Sequence, residues 1–431
     1  MFGYLKRKIP IATMTMIDTF NNGSANYTSS SSATYEDYEG VNFPVFNFGN
    51  VCPNNITVWP LLFLTDEAIT EMGLLYNMGQ YLLVNYLIPF IIVGGILGNG
   101  LFLLTLARIR EMRTITAFYL ANLAISDLAF LISVGIRTFT GIAKSPYMYI
   151  DPFRSSIGCA LSRTITYTSY FGSIWFVTLV TFERYVSICH PVKHRLIKGQ
   201  RRTMKLVLAT WTVALILGVG LGIGNLTELT KFCIIWPLRP LYKDLPSIVT
   251  FCSTTSRSLS SSAYLLQTSA FATAVILNAG MYWRIIHKIG TNRVVPNEVS
   301  AGAETTERPA PGMKNAKRLQ NSVTKMLITT GVIFFVCLTP WQFNICQTAI
   351  SLLSGSEVLT VNTGRILIFV GTTFNSLNSS INPLIYGVTN PRYRKAFQRA
   401  LSCDNKAGDN RDLASITATK TTAPVIHRDE R

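Results

Sequence analysis

The chain has 431 residues, 48% of them hydrophobic and 14% charged, with a formal net charge of +17. That little charge cannot coat the two or three soluble domains the length would allow, so the apolar residues must be gathered into segments. The basic excess falls in short loops between those segments, which sets aside nucleic acid as a partner.

Residues 1–80 read as an extracellular tail, largely disordered, with a Ser/Tyr/Asn-rich stretch from Asn21 to Asn50. The opening "MFGYLKRKIPIATMTMI" has a basic start and a short apolar run without a clear cleavage site, so it is expected to stay on the tail. Asn22, Asn26 and Asn55 head Asn-x-Ser/Thr glycosylation triplets in this tail. Seven apolar runs follow: Met72 to Ala107, Thr114 to Ile136 broken only by Asp127, Thr164 to Phe182, Leu206 to Thr227, Ser258 to Trp283, Met326 to Ser356, and Ile366 to Pro391. Each approaches or exceeds the roughly 20 residues that carry a helix across a bilayer. None shows the polar face of a helix buried in a soluble core. The prediction is an all-α membrane protein: a seven-transmembrane helix bundle over 81–391, a short amphipathic membrane-surface helix over 392–402, and a cytoplasmic tail over 403–431.

Basic residues set the orientation. Arg108, Arg110 and Arg113 follow the first span, Lys193 to Arg202 the third, and Arg284, Lys288 and Arg293 the fifth. These loops are expected to be cytoplasmic, which leaves the N-terminus outside and the C-terminus inside. A fourth glycosylation triplet, at Asn225, then falls at the outer end of the fourth span. Outer cysteines can pair in an oxidising compartment; Cys159 with Cys252 is the preferred bridge and Cys52 with Cys233 the second. Cys403, just past the basic amphipathic segment, suits palmitoylation or remains a cytosolic thiol.

Within the spans Asp127 is the one well-buried charge, and a mid-membrane carboxylate costs roughly 2.5–3.5 kcal/mol on insertion scales. Asn99, Ser173, Asn378, Ser379 and Asn382 are the polar groups expected to meet it. Together they would form a hydrated pocket or a small cation site of hard oxygen ligands, with sodium the candidate ion and no cofactor required. Taken singly each would be an interhelical hydrogen-bonding group. Pro89, Pro340 and Pro383 would kink their helices as hinges or as fixed bends.

The ordered motifs resemble those of rhodopsin-like (class A) G-protein-coupled receptors, from about Leu82 to Cys403. They are "GNGLFLLTL" with Asn99, "NLAISDLAF" with Asp127, Cys159 ahead of "ERY", Trp211, "FFVCLTP" with Pro340, and "NSSINPLIY" with Asn382, Pro383 and Tyr386. The resemblance implies that Glu183 holds Arg184 in a local ion pair at the cytoplasmic mouth until activation. It assigns Glu183, Arg184, Tyr185, Val192, Tyr282, Phe334, Pro340, Asn382, Pro383 and Tyr386 to activation and to coupling with a heterotrimeric G protein. Three departures stand out: Leu338 replaces the usual sixth-helix Trp, Ala274 the fifth-helix proline, and Gln320 the glutamate of an ionic latch.

Thr166 occupies the position where amine receptors carry Asp, and the seventh span has no lysine for retinal, so both ligand classes are disfavoured. The expected ligand site holds Arg137, Arg163 and Arg365, with Thr166, Tyr167, Tyr170, Tyr264, Trp341, Gln342 and Thr372. Guanidinium groups between aromatic walls suit a neuropeptide or an anionic small molecule. The same arginines could instead satisfy outer-loop carbonyls. Inside, "NPRYRKAFQRALSC" places Tyr393, Phe397 and Leu401 in one stripe on a basic helix along the lipid surface. The Ser/Thr-rich tail can accept phosphates, implying a receptor kinase and arrestin. A transporter or channel would favour repeats and several midplane charges. An enzyme would need an intramembrane catalytic cluster, and a scavenger receptor would not need intact "ERY" and "NPLIY".

Overall fold

The structure, a computed structural model, describes residues 57–60, 69, 75–148, 150, 151, 153, 155–197, 199–224, 227–237, 239–254, 257–294, 311–356, 359 and 361–402. Seven long helices cross the molecule: α1 Met78–Arg108, α2 Ile115–Lys144, α3 Ser156–Cys189, α4 Gln200–Gly224, α5 Arg257–Val294, α6 Pro311–Ser354 and α7 Val361–Thr389. A short helix, Pro191–Ile197, joins α3 to α4, and α8, Pro391–Leu401, follows α7. Among the described residues α1, α2, α4 and α6 are long and apolar enough to span a membrane by composition alone.

Local chemistry fixes the helix ends. Asn77 and Gln80 form a capping box on α1, Thr114 caps α2 by accepting from the Ala117 amide, and Ser155 caps α3 by accepting from Gly158. The first helix therefore starts at Met78, later than the uncharged run beginning at Met72. Pro89 lacks an amide hydrogen, and α1 widens to a π-turn over Leu83–Leu87 just before it, the Ile88 amide reaching back to the Leu83 carbonyl. Arg137 and Arg163 sit inside α2 and α3, so both helices continue beyond their uncharged runs at the outer face.

Close approach of α4 to α3 depends on glycine. A Cβ at Gly218 would stand 2.8 Å from the Thr168 backbone nitrogen, and one at Gly222 2.9 Å from Thr164 Cα. Trp211 then ties α4 to α2 by donating from Nε1 to Asn122 Oδ1 at 2.9 Å. The main apolar core fills the half of the bundle nearer α8, around Phe102, Tyr119, Phe176, Phe334, Tyr386 and Tyr393. On α8 Tyr393, Ala396 and Ala400 are buried against the bundle and Phe397 packs beside them, while Leu401 is 64% exposed. Spacings of three and four follow the helical period more closely than a strict four.

An outer layer closes the other end. Strands β1 (Thr57–Pro60), β2 (Thr227–Ile235) and β3 (Ile248–Thr254) form one sheet in that order. β2 and β3 are antiparallel with Cys233 opposite Ile248, and β1 runs parallel to β2 with Thr57 opposite Phe232. Beneath lies a second apolar cluster that includes Ile69, Met148, Ile234, Trp236, Tyr242 and Val249. The described Thr57–Pro60 and Ile69 of the tail are built into this layer. A disulfide joins Cys159 to Cys252 across 93 residues, as expected. Cys233 is also disulfide-bonded. Its expected partner Cys52 lies outside the described residues, as do Asn22, Asn26, Asn55, Asn225 and Cys403.

Candidate functional site

Midway along the bundle the predicted polar group converges. Asp127 is 0% exposed; its Oδ1 accepts from Ser173 Oγ at 3.1 Å and its Oδ2 from Asn382 Nδ2 at 2.9 Å. Asn378 and Ser379 are buried beside it on α7. Pro383 cannot donate to the Ser379 carbonyl one turn back, and Asn99 of α1 supplies the missing donor at 2.8 Å. The Asn99 amide also donates to Gly95 O at 2.9 Å, so one side chain binds α1 to the kink of α7. Asn99 Oδ1 and Asn378 Oδ1 stay buried without a partner, leaving acceptor capacity beside the carboxylate. A small cavity opens just above, between Ser173, Asn375, Asn378, Tyr170, Phe334 and Leu338. Leu338, in the position usually held by an indole, is 2% exposed and forms part of that wall.

At the end of the bundle nearer α8 the structure corrects one expectation. Glu183 does not hold Arg184: its Oε1 meets His194 Nε2 at 2.9 Å and its Oε2 meets Arg202 Nη1 at 3.7 Å. Adjacent residues on a helix do not face each other, so the two side chains leave α3 in different directions. Arg184 instead donates to the Thr116 hydroxyl of α2, and its Nε is buried unpaired. The Tyr185 hydroxyl meets His190 Nε2 at 3.0 Å and Arg284 Nη1 at 3.3 Å. The Tyr282 hydroxyl lies 2.8 Å from Thr181 Oγ1, joining α5 to α3. Tyr386 is buried against Phe102 and Tyr393, with ring centroids 5.3 and 5.7 Å away, and its hydroxyl has no partner. Phe334 packs edge-on against Phe335 at 5.3 Å, six residues before Pro340. Val192 is 72% exposed on the short helix.

Toward the outer face the three arginines are all engaged within the protein. Arg137 Nη2 donates to Ser162 Oγ at 3.2 Å, and its Nε stands 3.9 Å from Asp151 Oδ1. Arg163 donates to the Cys252 carbonyl at 2.9 Å, and Arg365 to Gln80 Oε1 at 3.4 Å. Asp151 was not legible as a site residue; its Oδ2 accepts from the Cys252 amide at 2.9 Å, which ties the first outer loop to β3. Deeper, Gln342 donates to the Tyr170 hydroxyl, joining α6 to α3. Thr166 donates to the Ser162 carbonyl at 2.8 Å and lies 3.3 Å from Ser133 Oγ of α2, whereas the Thr372 hydroxyl bonds back to the Ile368 carbonyl of its own helix at 2.7 Å. Tyr167, Tyr264 and Trp341 are half-buried, with Trp341 packed against Gly371 of α7.

The bundle of seven long helices agrees with the family that the sequence matches. Residues 98–386 match the family "7 transmembrane receptor (rhodopsin family)". The chain belongs to that family and is a G-protein-coupled receptor, a multi-pass protein of the plasma membrane. It is 27% identical to the thyrotropin-releasing hormone receptor of Ovis aries over 350 residues, covering 76% of this chain and 80% of that protein. It is 26% identical to neuromedin-U receptor 2 of Mus musculus over 320 residues, covering 74% and 75%. A neuromedin U receptor homolog of Caenorhabditis elegans is 25% identical over 336 residues, covering 73% and 77%.

Proposed function

We propose that this receptor binds an extracellular neuropeptide, with its N-terminus outside and its C-terminus in the cytosol, and activates a heterotrimeric G protein. The observation that carries the ligand class is the outer layer. A hairpin pinned to α3 by Cys159–Cys252 stands at the outer end of the bundle, and Tyr167, Tyr264, Trp341 and Gln342 lie below it. The similarity to receptors named for thyrotropin-releasing hormone and neuromedin U points the same way. A small anion fits less well, because Arg137 already faces Asp151 and Arg163 already serves the Cys252 carbonyl. A peptide that spreads many weaker contacts over aromatic and amide groups needs no unspent guanidinium.

Asp127, Ser173, Asn378, Ser379 and Asn382 form the sodium site of this proposal. Their donor set is all oxygen apart from amide nitrogens, which suits a hard cation, and Asn378 Oδ1 has acceptor capacity to spare. Arrestin, a receptor kinase and palmitoylation of Cys403 complete the cytoplasmic side of the reading. The deciding experiment screens a peptide library against cells expressing the receptor, read by calcium and cyclic-nucleotide reporters. An active peptide should lose potency when Tyr167, Tyr264 or Trp341 becomes Ala, with surface expression retained. Unchanged potency in all three variants overturns this pocket.

A further inference from the structure

A seam of polar contacts joins α3 to α5 through the half of the bundle nearer α8. Asn278 of α5 donates from Nδ2 to Thr178 Oγ1 of α3 at 2.9 Å and to its own Ala274 carbonyl at 2.8 Å. One turn further along, the Tyr282 and Thr181 hydroxyls meet at 2.8 Å, and beyond them Arg284 donates to the Tyr185 hydroxyl at 3.3 Å. Steps of three and four on α3, and of four from Asn278 to Tyr282, keep these groups on facing sides of two helices that run the same way. The first rung is sheltered from water: Asn278 is 1% exposed and Thr178 8%. Among the described residues Asn278 Oδ1 has no partner. A buried amide with its oxygen unpaired costs stability that leucine would not, so its presence points to a role other than stability.

Two departures from the family pattern leave this rung to act. Ala274 stands in place of the fifth-helix proline, and α5 continues unbroken from Arg257 to Val294, carrying Asn278 and Tyr282 along α3 on one face. Gln320 has no charge for an ionic latch, and Arg184 donates to Thr116 of α2 instead. We propose that Asn278 is a positioning residue: its bond to Thr178 holds α5 on α3 and restrains ligand-independent activation in a receptor that has no ionic latch. The regulatory half of this inference rests on G-protein activation by this chain; the rung itself does not.

Thermal unfolding of the purified full-length receptor in nanodiscs tests the rung, comparing wild type with Thr178→Val, Thr178→Ser, Asn278→Leu and the Asn278→Leu/Thr178→Val pair. Thr178→Val removes the acceptor of a buried N–H and should lower the midpoint by about 2–4 °C, whereas Thr178→Ser keeps the hydroxyl and should match wild type. With Asn278 already Leu, Thr178→Val should shift the midpoint by less than about 1 °C, because the contact is gone. An equal shift in both backgrounds, or none in the wild-type background, overturns the rung. Capture of a panel of purified nucleotide-free G-protein heterotrimers, with no ligand added, reads the restraint separately. With one neutral hydrogen bond lost, Asn278→Leu and Thr178→Val should each capture about fivefold more of a heterotrimer than wild type does, and Thr178→Ser no more. Capture no greater than wild type in either variant, by a receptor that binds a heterotrimer, overturns the restraint. Should neither wild type nor any variant capture a heterotrimer, G-protein coupling is refuted and the rung stands on the unfolding data.

Discussion

Asn99→Ala tests how the kink of α7 is held. The Asn99 amide makes two hydrogen bonds, at 2.9 Å to Gly95 O and at 2.8 Å to Ser379 O. They differ in weight. Gly95 O lies inside α1 and is within reach of its own helical amide, whereas Ser379 O has lost its partner to Pro383. Asn99 is 1% exposed and Ser379 3%, so water cannot readily step in. Truncating the donor should therefore cost about 1–3 kcal/mol for the orphaned carbonyl. Thermal unfolding of the purified receptor, followed by a dye that reports newly exposed cysteine, should shift down by a few degrees. Pro383→Ala restores a backbone amide one turn from Ser379, so the Asn99→Ala/Pro383→Ala pair should lose less than the sum of the two single changes. Strict additivity, or an unshifted midpoint for Asn99→Ala, would refute the account of the freed carbonyl.

Further outcomes are expected elsewhere. Sodium chloride should raise the unfolding temperature above that in potassium chloride, and Asp127→Asn should abolish the difference; a sodium effect retained in that variant removes the proposed ion site. Cys252→Ser opens a 93-residue loop, worth about 4–5 kcal/mol on the chain-entropy estimate, and should sharply reduce antibody-detected surface receptor on intact cells. Gly218→Val should drive α4 off α3, since its Cβ would already lie 2.8 Å from the Thr168 backbone; the assay is the monodisperse yield on size-exclusion chromatography. Asp151→Asn should release Arg137 and loosen the first outer loop from β3, seen as faster amide exchange at Thr250 and Cys252.

Much of the bundle could be read from residue order because a bilayer leaves a chain few choices. Uncharged runs must become helices when no water is present to satisfy the backbone. Asp127 could be singled out because a lone carboxylate among apolar residues demands partners, and Ser173 and Asn382 proved to be two of them. Cys159, in the first turn of α3, and Cys252, in β3, could be paired because both lie at the same end of the bundle. Where charge lies near a helix end, runs of apolar residues are a poor guide: Arg137 and Arg163 sit within α2 and α3 because outer-loop carbonyls and carboxylates receive them.

The partner of Glu183 was not legible, since His194 and Arg202 approach it from segments farther along the chain. Nor was Asp151, an ordinary loop acid in the sequence whose importance comes from meeting a strand about a hundred residues away. Composition and patterning by themselves determined the seven helices and the buried carboxylate, because desolvation acts on each segment regardless of its neighbours. Only the tertiary structure decided which carbonyl Asn99 rescues, which cation Glu183 holds and where the tail strand docks. Those are contacts between distant segments, and their geometry exists only once the helices have packed.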